Sequence, residues 1–256
     1  VRGVSFDGTN DYYTGPAAPL FLTGGAARSI EAWVYNPVVA DEETVFSWGR
    51  RGGGDGSNMS FNHGNNATFG AVGHWGAPDV GYGAGLPEVG RWTQVAYTYN
   101  PTTGMGTVYK NGAVANTDTV GTLNTWSVDD TTAARPLPFR VAAQNDANGN
   151  PTDGLRGSLT IALIRVYDEV LTDADIAAHY GEEVALFMPL TLSIQYDRAA
   201  GTATITWDQI EGATYSVEIS SDLNQWEPRA DGLTTGSFTD DQGGAAAIRF
   251  YRIKRE

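Results

Sequence analysis

One alternating stretch, Arg28 to Asn36, constrains the fold more than any other part of the chain. One face of it carries Ile30, Ala32 and Val34. The other face carries Ser29, Glu31, Trp33 and Tyr35. An alternation with period two predicts a β-strand. Because two aromatic rings lie on the second face, we expect a central strand with material over both sides.

Composition narrows the class of protein and the classes of partner. The chain has 256 residues, of which 41% are hydrophobic, so a substantial core can be buried. Thirty-two glycines and eleven prolines favour many turns over long helices. The net charge of -14 should repel nucleic acid and anionic lipid, and no apolar run is long enough for membrane insertion. The chain has no cysteine, which excludes disulfides and cysteine-ligated metals.

Further alternating stretches divide the chain into two β domains. Arg91 to Tyr99 repeats the strand pattern, and Asn111-Gly112 is a strong hairpin signal. One helix is predicted near 172–180, with Thr172 as N-cap and Gly181 as C-cap, closing one edge of the first domain. The predicted fold class is all-β: an antiparallel two-sheet sandwich at 1–187 and a smaller C-terminal β-sandwich at 190–256.

An ordered set of short motifs in the first domain resembles the laminin-G-like, concanavalin A-like jelly-roll family. The matching stretches are Phe6 to Gly8, Ser29 to Val34, Phe46 to Gly49, Gly90 to Tyr99, Val108 to Gly112 and Gly157 to Tyr167. The resemblance implies two antiparallel sheets packed face to face, one convex and one concave. It also implies carbohydrate or protein binding, often with calcium, in domains appended to secreted enzymes and adhesins. The expected location is therefore secreted or on the cell surface.

The C-terminal domain resembles a shortened fibronectin type III or related immunoglobulin-like sandwich. The stretches that carry this likeness are Ile205 to Trp207, Gly212 to Glu218 and Phe250 to Ile253. Modules of that type usually act as spacers or attachment pieces, and such a role is what the resemblance implies here.

Two turns are candidate Ca²⁺ sites, because carboxylates and loop carbonyls are the oxygen ligands that this ion prefers. Asp7 and Asp11 lie where the resembled family can bind calcium, although Ala162-Leu163 stands where relatives often carry Asp-Glu. The alternative is that both turns are structural only.

The second candidate calcium turn imitates the spacing of an EF-hand loop only in part. Its residues are Asp146, Asn148, Asn150 and Asp153. Pro151 occupies the position that an EF-hand gives to Gly, and Gly157 occupies that of the Glu. The stretch is therefore not an EF-hand, and any calcium there would be bound differently.

No catalytic constellation is evident in the sequence. Concanavalin A-like glycosidases use paired carboxylates, whereas Glu31 is alone on its strand and Glu42 and Glu43 lie in a loop. We interpret Glu31 as a structural, hydrogen-bonded group and expect no enzyme activity. The alternatives are a glycan-cleaving enzyme of the same fold and a structural spacer or protein-interaction module.

Aromatic residues in loops indicate where a ligand could bind. The long Gly-rich loop 73–90 carries His74, Trp75 and Tyr82, and Trp126 lies in another loop. Sugar rings stack on aromatic faces, so these four residues are the predicted ligand-binding surface for a polysaccharide or glycan, with a protein as the other partner class. The alternative is that the rings fold back over the sheet edge. We expect a monomer.

Overall fold

The computed structural model describes residues 3–76, 78–84, 87–152, 155–210, 212–241 and 248–256. The chain divides into two compact units, Val1–Met188 and Pro189–Glu256. The sequence placed the boundary near 187–190. Among the described residues, no helix has the length and apolar character needed to cross a membrane.

The first unit is an antiparallel β-sandwich with one α-helix. Its strands are β1 (Val4–Ser5), β2 (Tyr13–Ala17), β3 (Arg28–Tyr35), β4 (Thr44–Gly49), β5 (Asn58–Asn62), β6 (Val72–Gly73), β7 (Trp92–Asn100), β8 (Met105–Lys110), β9 (Ala113–Thr119), β10 (Pro138–Val141) and β11 (Thr160–Tyr167). A six-stranded sheet has the order β1-β11-β3-β7-β8-β9, and a five-stranded sheet has the order β2-β10-β4-β5-β6. Both sheets contribute to one apolar core. The predicted jelly-roll architecture is confirmed.

The central strand β3 is covered on both faces, as the sequence predicts. Ile30 and Val34 point into the core and are fully buried. On the opposite face, the Trp33 ring stacks on Phe187 with the ring centres 4.2 Å apart. The Trp33 Nε1–H donates a hydrogen bond to Glu183 at 2.6 Å.

The helix α1 (Asp173–Phe187) differs from the prediction in its end and its position. Thr172 is the N-cap as predicted. The helix does not stop at Gly181, however, and it lies over the face of the six-stranded sheet rather than at an edge. It continues because Tyr180 and Phe187 both stack on Trp33, so that the final turns are stabilised by burial.

Glu31 lies buried beneath this helix and is fully engaged in hydrogen bonds. Its carboxylate accepts bonds from Gln94 Nε2 at 3.3 Å and from the Tyr167 hydroxyl at 3.0 Å. His179 Nδ1 lies 2.9 Å from the same carboxylate. Glu31 is thus buried and hydrogen-bonded, as the structural interpretation of this residue predicts.

The second unit is a small β-sandwich. Its strands are β12 (Leu192–Asp197), β13 (Thr202–Trp207), β14 (Tyr215–Ser220), β15 (Glu227–Leu233), β16 (Ser237–Asp240) and β17 (Phe250–Arg255). They form two three-stranded antiparallel sheets, β12-β13-β16 and β15-β14-β17. The core is built around Ile205, Trp207, Tyr215 and Val217. The likeness to fibronectin type III stays a prediction beyond this architecture.

Candidate binding site

The outer face of the five-stranded sheet is polar at β5, yet it is buried there. On β5, Met59 and Phe61 point into the apolar core. The residues between and beside them, Asn58, Ser60 and Asn62, therefore point to the opposite face, and all three are buried. A buried polar face of this kind must be satisfied by hydrogen bonds or by a ligand.

Gln144 organises the polar groups on this face. Its Nε2 donates to a carboxylate oxygen of Glu42 and to Thr44 Oγ1, which lies 3.0 Å away. Its Oε1 accepts from Asn58 Nδ2 at 3.0 Å and from Arg51 Nη1 at 3.2 Å. Arg51 also lies 3.7 Å from Glu42 as an ion pair. We name Glu42, Arg51, Asn58 and Gln144 the Gln144 cluster.

The cluster leaves two buried acceptors without a partner. Asn58 Oδ1 and Asn62 Oδ1 have no hydrogen-bond partner among the described residues. Gly73 packs closely beside them, since a Cβ there would lie only 2.8 Å from Ser60 Oγ and would force a shift. Buried acceptors normally receive a donor, and a hydroxyl of a ligand or water would supply one.

A second carboxylate lies at the edge of the Gln144 cluster. Asp79 Oδ1 accepts a hydrogen bond from the His74 backbone N–H at 2.6 Å. Burial raises the pKa of Asp79, the His74 bond opposes this shift, and the nearby charge of Glu42 raises it further. Arg51 opposes the rise. The pKa of Asp79 thus responds to the charges of both Glu42 and Arg51.

Trp75 extends the cluster to the surface. The Arg51 guanidinium lies over its ring, with Cζ 4.7 Å from the ring centre. The Trp75 Nε1–H donates to the Gly53 carbonyl at 3.2 Å. The ring is 36% exposed. Trp75 has a φ of +62°, a conformation unfavourable for a large side chain, so the surrounding contacts must stabilise it.

Trp126 is partly buried and lies against loop 50–57, the loop whose Gly53 carbonyl accepts the Trp75 hydrogen bond. The Arg50 guanidinium lies 4.0 Å from the centre of its ring. A Cβ on Gly53 would lie 3.4 Å from the Trp126 ring, so this glycine touches both tryptophans. The structure thus brings two of the four predicted rings together around one loop, each stacked on an arginine.

The other two predicted ligand residues, His74 and Tyr82, are fully buried, which corrects their placement on the surface. His74 Nε2 lies 3.1 Å from the Tyr97 hydroxyl, and the Tyr82 hydroxyl donates to the Asn62 carbonyl at 2.7 Å. Burial lowers the pKa of His74 to about 4. These polar tips find partners inside the sandwich, so burial of their rings carries no unsatisfied group.

The turn at Asp7 is held by its own backbone. Asp7 Oδ1 accepts from the N–H groups of Thr9 at 2.7 Å, Asn10 at 3.1 Å and Asp11 at 3.4 Å. The bonds from Thr9 and Asn10 lower the pKa of Asp7. The carboxylate is therefore ionised and exposed, but most of its order comes from the turn itself.

The turn at Asp146 has the same construction. Asp146 Oδ1 accepts from the backbone N–H groups of Asn148 and Asn150, both at 2.8 Å. Asp153, the last member of the predicted loop, lies outside the described residues. Among the described residues, no three His, Cys, Asp or Glu side chains group as a metal site. Calcium binding stays a prediction.

A laminin G family model, described as the concanavalin A-like lectin/glucanases superfamily, matches residues 7–177. The chain belongs to this superfamily. No curated protein sequence matches the chain.

Solved structures similar to the chain come from several organisms. A proposed carbohydrate-binding protein from Bacteroides ovatus is 16% identical, with 69% of this chain and 47% of that chain covered and a TM-score of 0.45. A heptameric SAP-like pentraxin from Limulus polyphemus is 15% identical, with coverages of 68% and 78% and a TM-score of 0.39. The CBM40 of the Ruminococcus gnavus IT-sialidase is 15% identical, with coverages of 70% and 96% and a TM-score of 0.44. The match thus spans about half of the first of these proteins.

Proposed function

We propose that the first unit is a non-catalytic glycan-binding module of a larger secreted or cell-surface protein. The observation that carries this proposal is the Gln144 cluster beside two buried amide oxygens that have no partner in the part of the chain that the structure describes. Sugar hydroxyls both donate and accept hydrogen bonds, so they match a face that offers a carboxylate, a guanidinium and amide acceptors together. Membership of a superfamily that includes lectins favours the same ligand class.

Each group of the site has a role in this proposal. The Glu42 carboxylate accepts bonds from one or two hydroxyls, and Arg51 donates to a ring or hydroxyl oxygen. Gln144 is a positioning residue, because its bonds fix both side chains before the ligand arrives. Trp75 presents its partly exposed ring at the rim, where the C–H face of a sugar can stack.

Affinity for one sugar unit is expected to be weak. A hydrogen bond contributes about 1 kcal/mol net, and an aromatic stack contributes about 0.5–1.5 kcal/mol beyond its buried area. Those gains are opposed by the loss of ligand freedom on binding. The module therefore suits a polymeric glycan that engages several groups at once.

Glycan cleavage is the second candidate function. The observation that favours it is the carboxylate pair Glu42 and Asp79, of which Asp79 has a raised pKa as a general acid requires. Binding remains the better proposal, because Glu42 is already committed to Gln144 and Arg51 rather than poised over a reacting atom.

A glycan array tests the proposal, run on the full chain with and without calcium. We expect a defined set of glycans to bind, and Glu42→Gln to remove that binding with an unchanged melting temperature. Glu88→Gln is the matched control, since Glu88 forms an exposed ion pair with Arg91 outside the cluster. A wild-type chain that binds no glycan, or equal loss in both variants, would refute the site.

A further inference from the structure

Strand β12 of the second unit has a row of apolar side chains on the same face of the sheet as the core residues, yet this row is exposed to solvent. Ile194 pairs with Ile205 and Tyr196 pairs with Ala203, so each pair shares one face of the sheet. Ile205 and Ala203 are buried, whereas Ile194 and Tyr196 are 58% and 51% exposed. Leu192, at the start of the same row, is 46% exposed.

The two sheets are offset by one strand, which explains this exposure. Asp240 on β16 receives hydrogen bonds from Arg229 on β15 and from Tyr251 on β17. Since β15 and β17 are the two neighbours of β14, β16 must lie opposite β14. Five of the six residues of β17 are half-buried, whereas four of the seven residues of β15 are exposed. This asymmetry favours an arrangement in which β13 lies opposite β17 and β15 projects beyond β16. No described strand then lies beneath β12.

The resulting gap is one strand wide. Its roof is the apolar row of β12, and its side wall is the outer edge of β17, which pairs only with β14 among the described strands. β12 pairs with β13, and β17 pairs with β14, each over six residues without a register shift. By contrast, β15 has two register shifts and Pro228, and β16 has only four residues. Long regular edges bind further strands, and bulges or prolines prevent this.

We infer that the gap is filled by β12 of a second copy of the chain. Because each copy projects β12 by one strand, a two-fold axis parallel to the strands lets each β12 occupy the gap of the other. Each β12 then pairs with the partner's β17 edge, and the two apolar rows pack against each other. The contact is self-complementary and closed, as a symmetric dimer requires. Such a dimer differs from the monomer that the sequence predicts.

Charge favours this pairing over a contact between two β17 strands. β17 and the residue before it carry Arg249, Arg252, Lys254 and Arg255. Arg249 pairs with Asp240, and Arg252 and Lys254 share Glu218, so basic groups still outnumber the acidic groups that pair with them. Two such edges side by side would repel. The charged residue within β12 is Asp197, an acidic partner for that basic edge. The strand directions are also consistent with antiparallel pairing. β16 ends at Asp240, which bonds to residues near the starts of β15 and β17, so β16 runs opposite to β17. β12 runs in the same direction as β16, because both are antiparallel to β13, and the axis preserves these directions.

Sedimentation of the full chain tests the dimer. We expect a concentration-dependent species of twice the 27.3 kDa chain mass. Ile194→Lys should weaken the dimer at least tenfold with an unchanged melting temperature, because residue 194 is exposed in the single copy. Leu223→Lys is the control, a 55% exposed position outside the row, and should dimerise normally. The inference is overturned if the chain stays monomeric up to about 1 mM, a concentration at which weak dimers also form. It is also overturned if Ile194→Lys leaves a dimer unaffected.

Disulfide trapping tests the pairing itself without altering the apolar row. The chain has no cysteine, so introduced thiols are unique. The side chains of Gln195 on β12 and Lys254 on β17 point away from the core, so the variants for this test are Gln195→Cys and Lys254→Cys. We expect cross-links when the two variants are mixed. Cross-links formed mainly within either variant alone would overturn the β12–β17 arrangement.

Discussion

The guanidinium of Arg51 lies over the ring of Trp75, with Cζ 4.7 Å from the ring centre, and joins a surface aromatic to a buried polar network. Through Gln144, this stack is connected to Glu42 and Asn58. The ring is thereby held in one orientation although it is 36% exposed. A preoriented ring loses little freedom when a ligand stacks on it.

Trp75→Ala is expected to weaken glycan binding while leaving the fold intact. A lost stack of about 1 kcal/mol corresponds to roughly a fivefold higher Kd. The melting temperature should change little, because the ring is partly exposed. Trp226→Ala is the matched control, since Trp226 also carries an arginine over its ring, Arg252 at 4.3 Å, but lies in the other unit. Isothermal titration and thermal melting on both variants decide the matter; a large stability loss in Trp75→Ala would assign the ring to the core.

The second prediction concerns the helix that covers the six-stranded sheet. Phe187 is 5% exposed and stacks on Trp33, so Phe187→Ala should lower the free energy of unfolding by about 3–5 kcal/mol. The adjacent Leu186 is 58% exposed, and Leu186→Ala should stay within about 0.5 kcal/mol. Urea unfolding of both variants measures the difference. Equal effects would mean that the end of the helix does not stabilise the sheet.

Local patterns predicted the strands because they depend on alternation within the strand itself. The predicted stretches Arg28 to Asn36 and Arg91 to Tyr99 became β3 and β7 with bounds differing by one residue. Gly181 predicts a helix end, because glycine commonly follows the last residue of a helix. The helix passes through it because Trp33, some 150 residues earlier, provides a stacking surface for Phe187.

The candidate site was harder to predict because its members come from five separate segments. Glu42 is visible in the sequence only as a loop carboxylate, and Gln144 carries no motif at all. The alternation of Asn58, Ser60 and Asn62 with apolar residues was the available signal. Alternation predicts a solvated face, however, and burial of the polar face depends on long-range contacts that no local pattern encodes.

The third prediction is that the isolated protein releases no reducing sugar from polysaccharides. Glu31 is buried beneath the helix, so Glu31→Gln should alter stability and not activity. The decisive variants are Glu42→Gln and Asp79→Asn, which remove the two carboxylates at the candidate site. Reducing-end release that disappears in either of them, or in Glu31→Gln, would instead identify a glycosidase.

The fourth prediction is that millimolar calcium stabilises the first unit through the turn at Asp7. The backbone bonds of this turn all go to Oδ1, and the exposed Asp7 and Asp11 carboxylates can offer oxygen ligands. Binding to the folded state alone raises the melting temperature by mass action. Asp7→Asn should abolish the rise, whereas Asp146→Asn should preserve it. Melting curves that coincide in EDTA and in calcium would exclude the site.

The last prediction is a loss of stability in acid that arises from buried histidines. His63 is fully buried, and neither ring nitrogen has a hydrogen-bond partner among the described residues. Burial lowers its pKa to about 3, and burial lowers that of His74 to about 4. In the unfolded chain these histidines take up protons near pH 6.5. The free energy of unfolding therefore has its full value, as far as these histidines are concerned, above that pH, and it falls as the pH drops toward 4. The slope approaches about 1.4 kcal/mol per pH unit for each histidine.

His63→Phe isolates this effect, because phenylalanine keeps the ring and removes both unpartnered nitrogens. The variant should be at least as stable as the wild type at pH 7, since no hydrogen bond is lost. Its free energy of unfolding should fall less steeply between pH 6.5 and 4, by about one histidine's share. Carboxylates also titrate in this range, so the informative quantity is the difference between variant and wild type. Urea unfolding curves at four pH values provide it, and parallel pH profiles would show that His63 is not the buried neutral group described here.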